Sequence, residues 1–167
     1  MSERREATPS EPRWLDSRQQ EAWLSLVSLV TRLPAALDTQ LQRDSQLTHF
    51  EYFVLAALSE TPERRLRLST LAQRANASLS RLSHVVTKME RSGLVRREKA
   101  AAGRGSDAVL TDSGMDTIVA AAPAHVESVR TMIFDGLDPK QVGQLSHLAG
   151  AMLDQLDKAI AGGTGKA

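Results

Sequence analysis

The chain has 167 residues, of which 41% are hydrophobic and 25% charged, and it contains no cysteine. This length suits one domain with a sizeable core, or a small domain with an accessory layer, but hardly two full domains. The missing cysteines exclude disulfides, thiolate metal sites and cysteine nucleophiles, and the lack of a long apolar run or a signal-peptide pattern predicts a cytoplasmic protein without a membrane partner.

Charged residues are unevenly distributed along the chain, although the net charge is only +1. Residues 64–104 hold eleven Lys and Arg against two acids, Glu90 and Glu98, and therefore carry +9. The remaining residues must sum to −8. A solvated charged face normally mixes signs, so the basic middle favours a polyanionic partner.

The N-terminal part predicts an arm and two helices. Residues 1–13 are polar with two prolines, and we expect them to be disordered. From Trp14 onward apolar residues recur with the period of a long helix, and Pro34 is expected to bend it. A second helix is predicted after Thr48, because Glu51 three residues further on completes a capping box.

Two shorter helices come next. A minimal strand is predicted at Arg67–Leu68, Ser69 is expected to cap the first short helix, and Ser78 or Ser80 the second. The second helix should end at Gly93, where a helix C-terminus favours a positive φ. Its predicted buried stripe consists of Leu79, Leu82, Val85, Val86 and Met89. The polar side chains between these positions should therefore project outward together.

A hairpin and two further helices complete the pattern. The segments "LVRREK" and "DAVLT" alternate like strands, and "AAAGRGS" between them predicts a flexible hairpin tip. Thr111 should cap a helix that Pro123 interrupts. The last helix should begin with Asp138 as N-cap and Pro139 at the first position, and residues 162–167 are expected to be disordered.

Two short helices joined by a turn and followed by a hairpin, all basic, have the order of a winged helix-turn-helix. We therefore predict a mostly α fold with a small β-hairpin, in which residues 47–111 form the winged helix-turn-helix domain. N- and C-terminal dimerisation helices would flank it at residues 14–46 and 112–161, because their apolar stripes have no place in so small a core. Packing against a second copy would bury them as a homodimer, whose DNA operator should be a pseudo-palindrome.

The outward side chains of the basic domain are candidate DNA contacts. Serine and threonine hydroxyls suit phosphates or either base type, Arg81 can fork onto a guanine edge, and Lys88 and His84 can meet phosphates. Arg104, between two glycines, can enter a minor groove or contact phosphate. The predicted contacts are Ser69, Ser78, Ser80, Arg81, Ser83, His84, Thr87, Lys88, Arg96 and Arg104.

The strand before the hairpin tip leaves an alternative open. Because successive side chains point to opposite faces, one of Arg96 and Arg97 could instead pair with Glu98 or Glu90 rather than meet DNA.

Three segments occur in the order "LTHFEYFVLAAL", "LSTLAQRANASLSRLSHVVTKMERSGLVRRE" and "GRGSDAVLTDSG". With these segments, the chain resembles the MarR family of bacterial transcription regulators from Trp14 to Ile160. The resemblance implies a dimer that binds operator DNA, usually as a repressor, and that is often released by a small aromatic or phenolic ligand. Similar regulators have an acid shortly before the arginine at the wing tip, which pairs with it, whereas this chain has Ala100, Ala101 and Ala102.

The position of an effector site is a separate hypothesis. His49 lies beside three aromatic residues, and Trp23 could approach it from the first helix, so Trp23 and His49 are candidates for an aromatic effector site. A capping or surface histidine near core aromatics is the alternative.

An enzymatic function is not supported. The four histidines have no metal-ligand spacing and no phosphate-binding glycine loop is present, so we predict no catalytic residue, no metal and no cofactor. A winged domain that serves as a protein-interaction or architectural module is the alternative to a DNA-binding regulator, and the +9 segment favours DNA.

Overall fold

The computed structural model describes residues 12–100 and 103–163. The arm and tail predicted at residues 1–13 and 162–167 lie largely outside these residues, as do Ala101 and Ala102 of the hairpin tip. Most of the described residues are helical, and a small three-stranded sheet accompanies the helices. The predicted fold class is thereby confirmed.

The elements follow one another in the predicted order. Helices α1, α2, α3 and α4 are Ser17–Ser45, His49–Ser59, Leu68–Arg74 and Leu79–Arg91, and strands β1, β2 and β3 are Arg65–Arg67, Val95–Lys99 and Ser106–Leu110. Helices α5 and α6 are Asp112–Val129 and Pro139–Gly163, with a 3-10 turn at Pro62–Arg64 and a π turn at Arg130–Phe134.

The chain divides into two compact units, Met1–Ala36 and Leu37–Ala167. In the first unit, the described part of α1 exposes apolar side chains to solvent, including Trp23 at 55% and Leu24 at 59%. Pro34 lies inside α1, and the helix continues past it to Ser45.

The core of the second unit is built around α4. Leu82, Val86 and Met89, at helical spacing on one face of α4, are essentially fully buried, and they belong to one cluster with side chains of α2, α3, β2, β3 and α5. Burying such side chains contributes about 1.5 to 3 kcal/mol each. The stripe predicted for this helix is confirmed at Leu82, Val86 and Met89, and Val85 is partly buried. Leu79 is 53% exposed because it lies in the first turn and lines an open groove.

Three helix caps follow the predictions. Thr48 and Glu51 form the full capping box at the start of α2. Ser78, rather than Ser80, caps α4 by accepting a hydrogen bond from the Arg81 N–H, and Thr111 caps α5. Each side-chain oxygen satisfies a backbone donor that the first helical turn would otherwise leave unpaired.

The start of α3 differs from the prediction. β1 ends at Arg67, which occupies the N-cap position without a side-chain hydrogen bond, and Leu68 already belongs to the helix. Ser69 therefore lies within the first turn instead of capping it. The physical reason is the sheet, because Arg65 to Arg67 pair with β3 and hold the chain extended up to that point.

The sheet has the antiparallel order β1–β3–β2. In the hairpin β2–β3, Arg97 lies opposite Ala108 and Lys99 opposite Ser106, so the predicted wing is present. Gly93 has φ 73° between α4 and this hairpin, as expected for a residue that ends a helix.

Helix α5 passes through Pro123 without interruption, contrary to the prediction. The helical pattern instead changes at the π turn, where the Asp135 N–H donates to the Arg130 carbonyl at 2.9 Å. Asp138 and Gln141 then exchange hydrogen bonds at the start of α6, the predicted N-cap. Along α6 a row of apolar side chains is 37% to 59% exposed, namely Leu145, Leu148, Met152, Leu153, Leu156 and Ile160.

Candidate nucleic-acid interface

Helix α4 presents the polar face that the sequence predicts. Because Leu82, Val86 and Met89 are buried, the positions between them face away from the core. Exposed on that face are Ser80, Arg81, His84 and Lys88, and Ser83 and Thr87 are partly buried beside them. Ser78, at the cap, is exposed as well.

The guanidinium of Arg81 has a partner that the sequence did not indicate. It lies over the ring of Phe50 in α2, with 4.9 Å between Arg81 Cζ and the ring centroid. A cation over an aromatic face within about 6 Å is attracted by the ring quadrupole. Phe50 therefore restricts the directions in which the donor fork of Arg81 can point.

Lys88 is tied to the first turn of α2. Its Nζ lies 2.7 Å from Glu51 Oε1, and the Glu51 side chain is 5% exposed whereas that of Lys88 is 63% exposed. Burial alone would raise the pKa of the Glu51 carboxyl, but hydrogen bonds from Lys88 and Thr48 outweigh it, and the pKa lies below its ordinary value. The same carboxylate thus caps α2 and holds a side chain of α4.

Both arginines of β2 are paired, although the sequence left open which of them would be. Arg96 Nε lies 2.7 Å from Glu98 Oε1, on the strand itself. Arg97 points to α4, where its Nε lies 3.2 Å from Glu90 Oε2 and its Nη2 donates to the Ser83 carbonyl. Arg97 therefore connects the wing to α4.

Glu98 belongs to a second charged group on the sheet. It accepts hydrogen bonds from Arg96 and from Arg65 of β1, and the hydrogen bond from Arg96 is the largest cause that holds the pKa of Glu98 below its ordinary value. Arg65 also lies 3.6 Å from the buried carboxylate of Asp107. These charges link all three strands.

The wing tip carries an exposed arginine on a supported backbone. Arg104 lies between Gly103 and Gly105, which have φ 73° and 122°, values that favour glycine. Arg67 of β1 donates a hydrogen bond of 2.7 Å to the Arg104 carbonyl. No carboxylate among the described residues comes within ion-pair distance of the Arg104 guanidinium, whose side chain therefore remains available.

A groove of about 340 Å³ separates α4 from the wing tip. It is lined by residues of β1, α3, α4 and the wing, namely Arg67, Leu68, Ser69, Leu79, Ser83, Arg97, Arg104, Gly105 and Ser106. Three predicted site residues, Ser69, Ser83 and Arg104, thus share one groove whose charged side chains are all arginines.

The predicted effector residues lie in different units of the chain. Trp23 belongs to the first unit, and His49 starts α2 in the second, where its N–H donates to Asp38 at 2.7 Å. The His49 ring faces His125 of α5 at a centroid distance of 6.2 Å, and Tyr52 lies 4.2 Å from His125. Burial, followed by the charge of His49, lowers the pKa of His125.

Sequence reasoning missed Phe50, Glu51, Arg67 and Arg97 as parts of this surface. The sequence indicates Glu51 only as a helix cap, and Arg97 only as one of two candidates for an ion pair. Their roles depend on contacts between segments that are distant in sequence. The periodicity of apolar residues and the spacing of motifs do not indicate such contacts.

Two kinds of site are absent from residues 12–100 and 103–163. No cluster of three or more His, Cys, Asp or Glu there could hold a metal ion. Nor does any helix in those segments have the length and apolarity needed to cross a membrane.

Known proteins resemble this chain in both sequence and fold. A family model described as the MarR family matches residues 47–102. Sco3205 of Streptomyces coelicolor, a MarR family transcriptional regulator solved in complex with DNA, is 42% identical, with 89% of this chain and 93% of that chain covered and a TM-score of 0.83. AbsC of the same organism, also a MarR family transcriptional regulator, is 38% identical, with 88% and 99% covered and a TM-score of 0.82.

A more distant structure shares the fold alone. CouR of Rhodococcus jostii RHA1, solved bound to p-coumaroyl-CoA, is 20% identical, with 79% of this chain and 91% of that chain covered and a TM-score of 0.68. No curated protein sequence matches the chain.

The Glu51 carboxylate should make stability depend on pH. Its folded pKa is depressed, so its contribution is present above the unfolded pKa of about 4.3 and is lost as pH falls through the folded value. Glu51→Gln should lower the free energy of unfolding by about 1 to 2 kcal/mol near pH 6, with the difference shrinking toward about pH 3. Urea unfolding at several pH values measures this.

The exposed pair of Arg64 and Asp112 provides the control, because the Asp112 side chain is 99% exposed. Asp112→Asn should leave the pH profile of unfolding near that of the wild type. A Glu51→Gln profile parallel to the wild-type profile would contradict the assignment.

Proposed function

Since this chain belongs to the MarR family of transcriptional regulators, we propose that it acts in the cytoplasm as a homodimeric repressor that binds a pseudo-palindromic DNA operator. The two Streptomyces relatives, at 42% and 38% identity, confirm the family that the sequence motifs predicted. The family and these relatives are regulators and not enzymes, in agreement with the prediction from the sequence.

One observation carries the proposal of DNA binding. The outward face of α4 and the free guanidinium of Arg104 lie on either side of one groove, within the segment that carries +9. That a relative 42% identical was solved in complex with DNA supports DNA binding by this chain.

The proposed geometry places α4 in the major groove. That groove is about 12 Å wide and admits a helix, so Ser80, Arg81 and His84 would meet base edges or phosphates. Arg81, held beside Phe50, is the proposed reader of a guanine. Lys88 keeps most of its surface exposed and would contact phosphate from the edge of the face.

The wing and the cap supply the remaining contacts. Arg104 would enter the adjacent minor groove or contact its backbone, and Ser69 and Ser78 would bind phosphates from the helix starts. Arg96 keeps 55% of its side chain exposed despite its pair with Glu98, and it remains a proposed backbone contact.

A second copy is the proposed partner of the exposed apolar row on α6. Monomeric proteins rarely expose an apolar surface of this kind. Packing α6 against the same helix of a second copy would bury its apolar side chains in a symmetric interface. A two-fold dimer would present two α4 helices to half-sites about 34 to 36 Å apart.

An aromatic effector remains a proposal that rests on the cluster at the start of α2. His49, Tyr52 and His125 bring three rings together, and His125 Nδ1 lies 3.3 Å from Gln40 Oε1. Aromatic rings that carry hydrogen-bonding groups suit a phenolic or carboxylated aromatic ligand.

DNA selected from a random pool at about 150 mM salt should yield an inverted repeat, because the non-specific phosphate contribution is already weakened there. Arg81→Ala should weaken the base preference at one position in each half-site and reduce the free energy of DNA binding by about 1 to 3 kcal/mol. Arg104→Ala should weaken binding to all sequences, and it should lower by about 1 the slope of the logarithm of the binding constant against the logarithm of the salt concentration. Retention on heparin without any enriched sequence would favour an architectural or protein-binding module instead.

Sedimentation should give twice the 18.2 kDa chain mass. Leu148→Glu combined with Leu156→Glu should produce monomers, since both charges would be desolvated in the interface. His147→Glu, which helical spacing places on the opposite side of α6 from the apolar row, is the control and should remain dimeric. A wild-type monomer at micromolar concentration would contradict the proposed role of α6.

Calorimetry with a panel of phenolic acids tests the effector proposal. His49→Ala should weaken binding at least about tenfold if the ring contacts the ligand. Equal binding by wild type and His49→Ala would contradict this site.

A further inference from the structure

Arg97 of β2 makes several polar contacts between the wing and α4. The Arg97 backbone N–H donates to Glu90 Oε1 at 2.9 Å, and Arg97 Nε lies 3.2 Å from Glu90 Oε2. Its Nη2 donates to the Ser83 carbonyl, to Ser83 Oγ at 3.1 Å and to Thr87 Oγ1 at 2.9 Å. One residue of β2 thus contacts three successive turns of α4.

Two predicted DNA contacts, Ser83 and Thr87, take part in these hydrogen bonds. Thr87 Oγ1 donates to the Ser83 carbonyl at 2.9 Å and accepts from Arg97, so its proton and one lone pair are already used inside the protein. Ser83 Oγ accepts from Arg97 and keeps its proton. Thr87 therefore serves the wing connection, whereas Ser83 remains able to donate to a phosphate or a base acceptor.

The position of the connection matters for the wing tip. β2 is an edge strand of the sheet, hydrogen-bonded to β3 alone, so its position relative to α4 depends on contacts outside the strand ladder. Arg97 lies in the middle of β2, while Arg104 projects from the tip on the far side of the groove that both residues line. Fixing β2 against α4 therefore fixes the separation between the Arg104 side chain and the base-reading face.

We propose that Arg97 is a positioning residue for DNA binding, which locks the wing onto α4 so that the helix and Arg104 engage neighbouring grooves as one rigid unit. This inference rests on the proposed function. The protein would bind without paying for the ordering of a loose hairpin, since the charged connection orders it in advance.

A double-mutant cycle between Arg97 and Arg104 tests this, measured as Kd on the DNA that the wild type selects. Arg104→Ala should weaken binding several-fold in the wild type and by less than about twofold in the Arg97→Gln background, because a displaced wing no longer delivers Arg104. General destabilisation would not move this ratio, and thermal unfolding identifies the temperature at which all variants are folded.

Arg91→Gln is the matched control. It removes the same charge from the last turn of α4, and Arg91 makes no side-chain hydrogen bond or ion pair with a described residue. Here Arg104→Ala should cost the same as in the wild type. Thr87→Val, which keeps the arginine and removes one acceptor, provides a second background in case Arg97→Gln does not fold, and it should also reduce the effect of Arg104→Ala.

The outcomes separate the two claims. If the wild type selects no DNA, the proposed function fails before the cycle begins. If the wild type binds and Arg104→Ala has the same effect in the wild type, Arg97→Gln and Thr87→Val backgrounds, the proposed function stands and the positioning role of Arg97 is overturned. An undiminished effect in the Thr87→Val background alone overturns it when Arg97→Gln is unfolded.

Discussion

Burial of the apolar face of α4 is the constraint on which the rest of the second unit depends. Leu82, Val86 and Met89 meet side chains from α2, α3, α5 and the sheet, so rotating the helix would expose all three at once. Because that face is buried, Ser80, Arg81 and His84 lie on the solvent-exposed side of the helix. The surface proposed to read DNA is therefore a consequence of the core that stands behind it.

The few acids near this surface explain how a strongly basic segment folds. Glu90 holds Arg97, and Glu98 holds Arg96 together with Arg65, so the two acids of residues 64–104 both tie arginines to the scaffold. Glu51 does the same for Lys88 from outside that segment. Arg81 on the face of α4 and Arg104 at the wing tip have no carboxylate partner among the described residues, and both lie where a polyanion would approach.

Patterns confined to one element were predictable, and contacts between elements were not. The capping box at Thr48, the cap at Thr111 and the stripe on α4 depend on short spacings that can be read directly from the amino-acid sequence. The exposure of Leu79, the extended backbone before Ser69 and the stacking of Arg81 on Phe50 depend on which segment lies opposite, which only the folded chain decides. The connection through Arg97 belongs to the second kind, although the sequence did indicate an ion pair at that strand.

In the proposed complex, α4 and the wing of each protomer engage DNA together. Hydroxyl-radical footprinting on the selected DNA tests it most directly, because cleavage reports minor-groove and backbone contacts at each nucleotide. We expect two equivalent protected regions about one helical turn apart, each with a flanking minor-groove protection that Arg104→Ala removes. A single protected region, or a flank unchanged in Arg104→Ala, would contradict it.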